Sequence, residues 1–166
     1  MSDIYTCLID TPLGKMRAAR NEDAITGLWF EGQKYYPNKD KWIETKEHYL
    51  FKSLNIWIDK YFDGAKEICD LPLFLAGTPF QKKVWEILRQ IEYGQSVTYG
   101  EIAKELSLGL SKMSAQAVGG AVGHNPISIL IPCHRVLGSN GMLIGYAGGV
   151  DKKRFLLELE GVNFNY

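Results

Sequence analysis

Cys133, His134 and Arg135 set a thiol, an imidazole and a guanidinium side by side, the one place in 166 residues where nucleophile, base and fixed cation adjoin. A thiol with its ordinary pKa of about 8.5 is only a few per cent thiolate at neutral pH, and neighbouring positive charge raises that fraction. Nucleophilic chemistry is one reading of Cys133. A buried structural thiol is the other, because it follows the apolar run Ile129-Leu130-Ile131 and cysteine is among the most buried residue types. In an extended segment neighbouring side chains point apart, so Cys133 and His134 need a turn or a bridging water to act together, which counts against a thiol protease. His134 reads equally as an oriented core histidine. Glu160 reads as its buttress or as a plain surface carboxylate, and Arg135 as a structural salt-bridge partner.

The elements that must position these groups follow from caps and periodicity. Asn125-Pro126 ends a helix, and residues 127–132 predict a short buried strand that delivers Cys133 to the edge of the core. After a turn at 138–141 and the loop Tyr146-Ala147-Gly148-Gly149, Asp151 is the expected cap of a last helix. That helix runs through Phe155, Leu156 and Leu159 to Glu160-Gly161. Upstream, Thr78-Pro79-Phe80-Gln81 is a capping box with proline at the first helical position, followed by Val84, Trp85, Leu88 and Ile91. A second box, Thr98-Tyr99-Gly100-Glu101, leads into Ile102, Ala103 and Leu106, and residues 107–111 break the pattern.

The third helix, over 112–123, is nearly all small residues: Ser114, Ala115, Gln116, Ala117, Gly119, Gly120, Ala121. Two helices joined by a short glycine-containing turn predict a helix-turn-helix unit. Each glycine costs a helix about 1 kcal/mol relative to alanine, so bulk is being kept away either from a neighbouring helix or from a groove of DNA. With no Arg or Lys after Lys112, this helix lacks the usual bidentate readers of major-groove guanine. Sequence-tolerant minor-groove binding fits better.

Residues 4–9, 15–19 and 24–30 are short runs separated by turn residues, a small antiparallel meander. Over 45–62, Leu50, Leu54, Trp57, Ile58 and Tyr61 predict an amphipathic helix covering the sheet, ended by Asp63-Gly64. Residues 68–77 read as an extended connection, which places a boundary between domains 1–77 and 78–166. Net charge is zero, with ten Lys/Arg against twelve Asp/Glu before residue 78 and nine against seven after it, so only the second half leans basic. Three widely spaced cysteines, Cys7, Cys69 and Cys133, argue against a disulfide framework and for a reducing compartment. With neither a signal-like start nor a membrane-length apolar stretch, the expectation is a cytoplasmic protein.

At this point a resemblance becomes specific. Residues Thr78-Pro79-Phe80-Gln81, Val97-Thr98-Tyr99-Gly100, Ala117-Val118-Gly119, Asn125-Pro126, Ile131-Pro132-Cys133-His134-Arg135-Val136, Gly145-Tyr146-Ala147-Gly148-Gly149 and Glu160-Gly161 together resemble, in order, the O6-alkylguanine-DNA alkyltransferases. Residues 1–77 are similar to that family's N-terminal domain in general layout. The resemblance implies an α+β protein: a small, ribonuclease-H-like antiparallel sheet with a helix, then a mainly helical domain containing the helix-turn-helix.

It also implies direct DNA repair by a monomer that binds the minor groove of double-stranded DNA and flips the damaged guanine. The alkyl group moves irreversibly from guanine O6, with O4 of thymine a further candidate, to Cys133. His134 takes the thiol proton through a water, Glu160 orients the imidazole, Asn125 ties the active-site turn, and Tyr99 contacts base and phosphate. Carbonyls of Cys133 and Val136, the Ala147 N–H, Tyr146 and Lys153 form the base pocket, and Arg135 braces the loop. Ser114, Ala115, Ala117 and Gly119 face DNA. Where the family commonly carries an arginine that fills the gap left by the flipped base, this chain has Gln116, shorter and uncharged, and a longer loop over 107–111. No cofactor is implied, and no metal, since Cys7, Cys69 and His48 do not fall where a family-type zinc site needs them. Two alternatives stand beside repair: a non-catalytic sensor of alkylated DNA on the same fold, and an unrelated cysteine hydrolase.

Overall fold

The computed structural model describes residues 3–38, 41–107 and 114–166. The chain divides into two units, Met1–Ala76 with Pro126–Ser128, and Gly77–Asn125 with Ile129–Tyr166.

In the first unit β1 (Tyr5–Thr11), β2 (Gly14–Arg20) and β3 (Ile25–Phe30) form the antiparallel meander. Gly14, at φ 99°, and the Thr11 hydroxyl, which donates to its carbonyl at 2.7 Å, close the first turn. A fourth strand, β4 (Ile43–Glu44), pairs in parallel with β1 and makes the sheet mixed, in the order β3-β2-β1-β4. Thr45, expected to begin the helix, instead extends this pairing: its N–H donates to the Thr6 carbonyl at 2.9 Å. Helix α1 therefore spans Tyr49–Phe62, with His48 Nδ1 accepting from Leu50 N–H at 3.2 Å as its cap. Leu50, Phe51, Leu54, Ile58 and Tyr61 form its buried face. Trp57, expected in that face, is only half buried and donates its indole N–H to the Glu67 carbonyl.

Residues 127–132 are not a strand. Ile127 makes a single bridge to Leu28, held by Leu28 N–H to Pro126 and Ser128 N–H to Leu28. The chain then turns at Ile129, whose φ of 70° is a genuine outlier for a β-branched residue.

The second unit contains α2 (Pro79–Arg89), β5 (Val97–Thr98), α3 (Tyr99–Ser107), α4 (Ala115–Gly123), β6 (Val136–Leu137) and α5 (Val150–Glu160). The Thr78 to Gln81 capping box is complete. The Thr98 box is half formed: its hydroxyl accepts from Glu101 N–H at 3.0 Å and donates to the Glu101 carboxylate at 3.2 Å. Residues 108–113 lie outside the described residues, and with them most of the break expected at 107–111 and the helix start expected at 112; the described helix opens with Ser114 as N-cap. Trp85 of α2 donates to the Ala121 carbonyl at 2.9 Å, and Val118, Ala121 and Val122 face the core. The last helix is capped by Gly149 rather than Asp151, which sits in the first turn and pairs with Arg154 at 3.2 Å. Its inward face is Lys153, Leu156, Leu157 and Glu160, so the expected Phe155 and Leu159 give way to two ionisable groups. Among the described residues no helix is long and apolar enough to cross a membrane.

Candidate active site

Cys133, His134 and Arg135 form one 3-10 turn rather than extended chain, which removes the geometric objection to their acting together, since successive side chains of such a turn fan out by about 120°. Pro132 supplies the entry. Its φ of −81° and ψ of 65° are those of an inverse γ-turn, with Cys133 N–H donating to the Ile131 carbonyl at 2.8 Å. The same carbonyl accepts from Asn125 Nδ2 at 2.7 Å, so the end of α4 is tied to the turn that carries the thiol. The exit is fixed by β6, which pairs in parallel with β5 through Val97 and Val136, just before α3 begins at Tyr99.

His134 and Glu160 are both buried, and Nε2 of the ring lies 2.6 Å from Glu160 Oε2. That contact makes Nε2 the protonated nitrogen and leaves Nδ1, buried and without a protein hydrogen-bond partner, as the basic one. Burial holds the His134 pKa below its ordinary value against the opposing pull of Glu160. The ring is therefore neutral at neutral pH. Glu160 is also gripped by Arg135, Nε to Oε1 at 2.7 Å and a terminal nitrogen to Oε2 at 3.1 Å, and by Gly94 N–H at 3.3 Å. The remaining Arg135 nitrogen donates to the Ile91 carbonyl at 2.6 Å.

Arg135 thus spends its charge on Glu160, in the structural salt bridge its sequence reading describes. The charge felt by Cys133 is that of Lys153. Burial raises the thiol pKa above its ordinary value, while the Asn125 amide, Lys153 and the Tyr146 hydroxyl pull it down. The resting pair is a neutral thiol and a neutral imidazole.

Lys153 is wholly buried, and its ammonium donates to the carbonyls of Val136, Ile144 at 2.8 Å and Gly145 at 3.0 Å. It pins the loop before Tyr146 and occupies one lone pair of the Val136 carbonyl. Burial pushes its pKa down to about 8. Its nitrogen stands 5.7 Å from the centre of the Tyr99 ring, and Tyr99, pushed up to about 12 by burial and then by Cys133, keeps its proton. Residues 146–149 form a turn closed by Gly149 N–H to the Tyr146 carbonyl at 3.0 Å, with Ala147 half-buried inside it.

On α4, Ser114, Ala115, Gln116 and Ala117 are exposed. Among the described residues, a Cβ at Gly119 or Gly120 would meet nothing within 4 Å, so no described helix packs closely enough to exclude side chains there. Ile91 and Gly94, which complete the Arg135 and Glu160 network, were not anticipated from sequence. The one signal was glycine itself: Gly94 has φ 81°.

The family model described as "6-O-methylguanine DNA methyltransferase, DNA binding domain" matches residues 79–162, and that described as "6-O-methylguanine DNA methyltransferase, ribonuclease-like domain" matches residues 4–75. A methylated-DNA–protein-cysteine methyltransferase of Haemophilus influenzae is 40% identical over 99% of this chain and 90% of its own length. One from Methanosarcina barkeri is 44% identical over 96% and 99%. The crystal structure of Mycobacterium tuberculosis OGT in complex with DNA is similar at a TM-score of 0.85, with 39% identity, 95% of this chain and 92% of that one covered.

Proposed function

Because this chain belongs to the 6-O-methylguanine DNA methyltransferase family, we propose that Cys133 is the residue that accepts the alkyl group when it repairs DNA. Its reaction is the transfer of an alkyl group from damaged DNA to a protein cysteine. The observation that carries the assignment is the polarised chain from Glu160 through Nε2 to the basic, partnerless Nδ1 of His134, within one turn of a thiol that burial keeps protonated.

With the damaged guanine flipped beside the turn, a water relays the Cys133 proton to His134 Nδ1. Sulfur attacks the alkyl carbon, the S–C bond forms as the C–O6 bond breaks, and the guanine departs with that electron pair and gains a proton. No step restores the thiol, so one molecule repairs one base. Tyr99, protonated at neutral pH, donates to the base. Val136 and Cys133 carbonyls, the Ala147 N–H and the Tyr146 ring bound the pocket, and Lys153 holds its loop in place. O4-alkylthymine is a second candidate substrate.

Asn125 and Arg135 position the turn. The exposed face of α4, with Ser114, Ala115, Ala117 and Gly119, approaches the minor groove of double-stranded DNA, and Gln116 stands where a flipped base leaves its gap. The protein acts as a cytoplasmic monomer. Incubation with duplex DNA carrying labelled O6-methylguanine tests this. One label per protein molecule, lost in Cys133→Ala, is expected; tight binding without transfer is the outcome of a sensor, and repeated turnover without DNA that of a hydrolase.

A further inference from the structure

We propose that Tyr93 is a positioning residue for methyl transfer: its ring holds Arg135 against Glu160, and through that pair it fixes the carboxylate that orients His134. The inference rests on Cys133 as the acceptor and His134 as its base, as proposed above.

All three nitrogens of Arg135 are engaged along the edges of the guanidinium: Nε with Glu160 Oε1 at 2.7 Å, one terminal nitrogen with Oε2 at 3.1 Å and the other with the Ile91 carbonyl at 2.6 Å. Edge contacts leave the two flat faces of the group unheld. The Tyr93 ring takes one of them, its centre 5.7 Å from the guanidinium carbon, within the reach of a cation–π contact. Residues beside it complete the grip. Gly94 N–H donates to Glu160 Oε1 at 3.3 Å, and the Tyr93 hydroxyl donates to the carbonyl of Leu159, one residue before Glu160, at 3.3 Å. One short turn thus touches the guanidinium, the carboxylate and the main chain that carries the carboxylate.

That turn has little freedom. Gln95 N–H closes on the Glu92 carbonyl at 3.0 Å, and Gly94, at φ 81°, packs backbone against backbone: a Cβ there would lie 3.4 Å from the Glu160 carbonyl oxygen. The Tyr93 hydroxyl sits in the field of the ion pair. Burial first, and then Glu160, push its pKa up against the pull of Arg135, so it keeps its proton and remains a donor.

An interaction speeds a step only if it strengthens on the way to the transition state. As the thiol proton reaches Nδ1, the imidazole becomes a cation, and the attraction of Glu160 Oε2 for the Nε2 proton, across 2.6 Å, grows. The carboxylate answers that charge without delay only if it is already in place and shielded from water. A ring against the face of Arg135 does both.

The test is single-turnover transfer from duplex O6-methylguanine, with protein in excess and on the folded fraction. Tyr93→Leu and Tyr93→Met, which fill the space but offer no π-face, should each slow transfer about tenfold. Tyr93→Phe, which loses only the hydroxyl, should restore most of the rate. In a His134→Gln background, where the base is gone, Tyr93→Leu should change the rate by less than about twofold, because residues that act as a unit do not add. A residue that only supports the fold would slow both backgrounds alike. Affinity for the duplex should stay at the wild-type value in every Tyr93 variant. Wild-type rates in both Tyr93→Leu and Tyr93→Met, equal slowing with and without His134, or slowing matched by a loss of duplex affinity would overturn the proposal. A wild-type protein that transfers no methyl would instead overturn the assignment of Cys133 on which it rests.

Discussion

Replacing Glu160 by glutamine probes the site at its most constrained point. The carboxylate accepts from four donors: Arg135 Nε at 2.7 Å and Gly94 N–H at 3.3 Å on Oε1, and His134 Nε2 at 2.6 Å and Arg135 at 3.1 Å on Oε2. An amide has one oxygen, so one of these positions becomes a donor facing donors. If the NH2 replaces Oε1 it meets two groups that cannot give up their protons. If it replaces Oε2, His134 can relieve the clash by moving its proton from Nε2 to Nδ1. The second orientation is preferred, and it consumes the nitrogen that receives the Cys133 proton.

Two losses follow. The buried Arg135 is left without its counter-charge, which costs about 3–5 kcal/mol of folding stability, read as a lower urea midpoint. General-base catalysis is lost as well, slowing methyl transfer by about 10²- to 10⁴-fold. The assay is single-turnover transfer from duplex O6-methylguanine with protein in excess, on the folded fraction, beside Glu160→Asp, which restores the charge. A Glu160→Gln protein that is folded and transfers at the wild-type rate would refute the relay through His134.

Asn125→Ala removes the amide tie to the Ile131 carbonyl and one of the groups that lowers the thiol pKa; we expect a loss of about 1–3 kcal/mol in urea unfolding together with slower transfer. Gln116→Arg should raise the repair rate on duplex DNA and leave uptake from the free base unchanged, whereas no gain would mean that Gln116 already supports flipping. Methylation adds a carbon to the buried Cys133, overpacking worth about 1–3 kcal/mol, so the spent protein should melt about 2–12 °C below the fresh one in a thermal scan. The His134 pKa is lowered by burial, so protons bind the unfolded chain better: the stability this group contributes is intact above the unfolded value of about 6.5 and is lost as pH falls through the folded one. Urea midpoints should therefore drop below pH 6.5, and drop less in His134→Gln.

Local chemistry was legible in the sequence where it is local. Thr78 and Gln81 cap α2 as their spacing requires, and Gly161, at φ 74°, closes α5. What escaped depends on partners distant in the chain. Thr45 falls at the start of the expected helix, but with Ile43 it hydrogen-bonds to β1's side of the sheet, because the Ile4 and Thr6 carbonyls are open there. Residues 127–132 are apolar enough for a strand, yet Pro132 and the positive φ at Ile129 bend them into turns. The same limit governs the site. Cys133, His134 and Arg135 stood out by adjacency, but the partner of Arg135 is 25 residues away at Glu160, and its remaining nitrogen reaches Ile91, 44 residues away. Adjacency therefore could not show which acid Arg135 pairs with, nor that the cation bearing on the thiol is Lys153. Resemblance supplied Lys153, whose three carbonyl contacts no pattern in residues 144–153 announces.

The most direct test of Cys133 as a consumable acceptor is peptide mass spectrometry after reaction with excess duplex bearing O6-methylguanine. A single added methyl on the Cys133 peptide, reaching one per molecule and then stopping, with Cys7 and Cys69 unmodified, is the predicted result. Methyl on another residue, or damage removed from DNA while Cys133 stays a free thiol, would contradict the account.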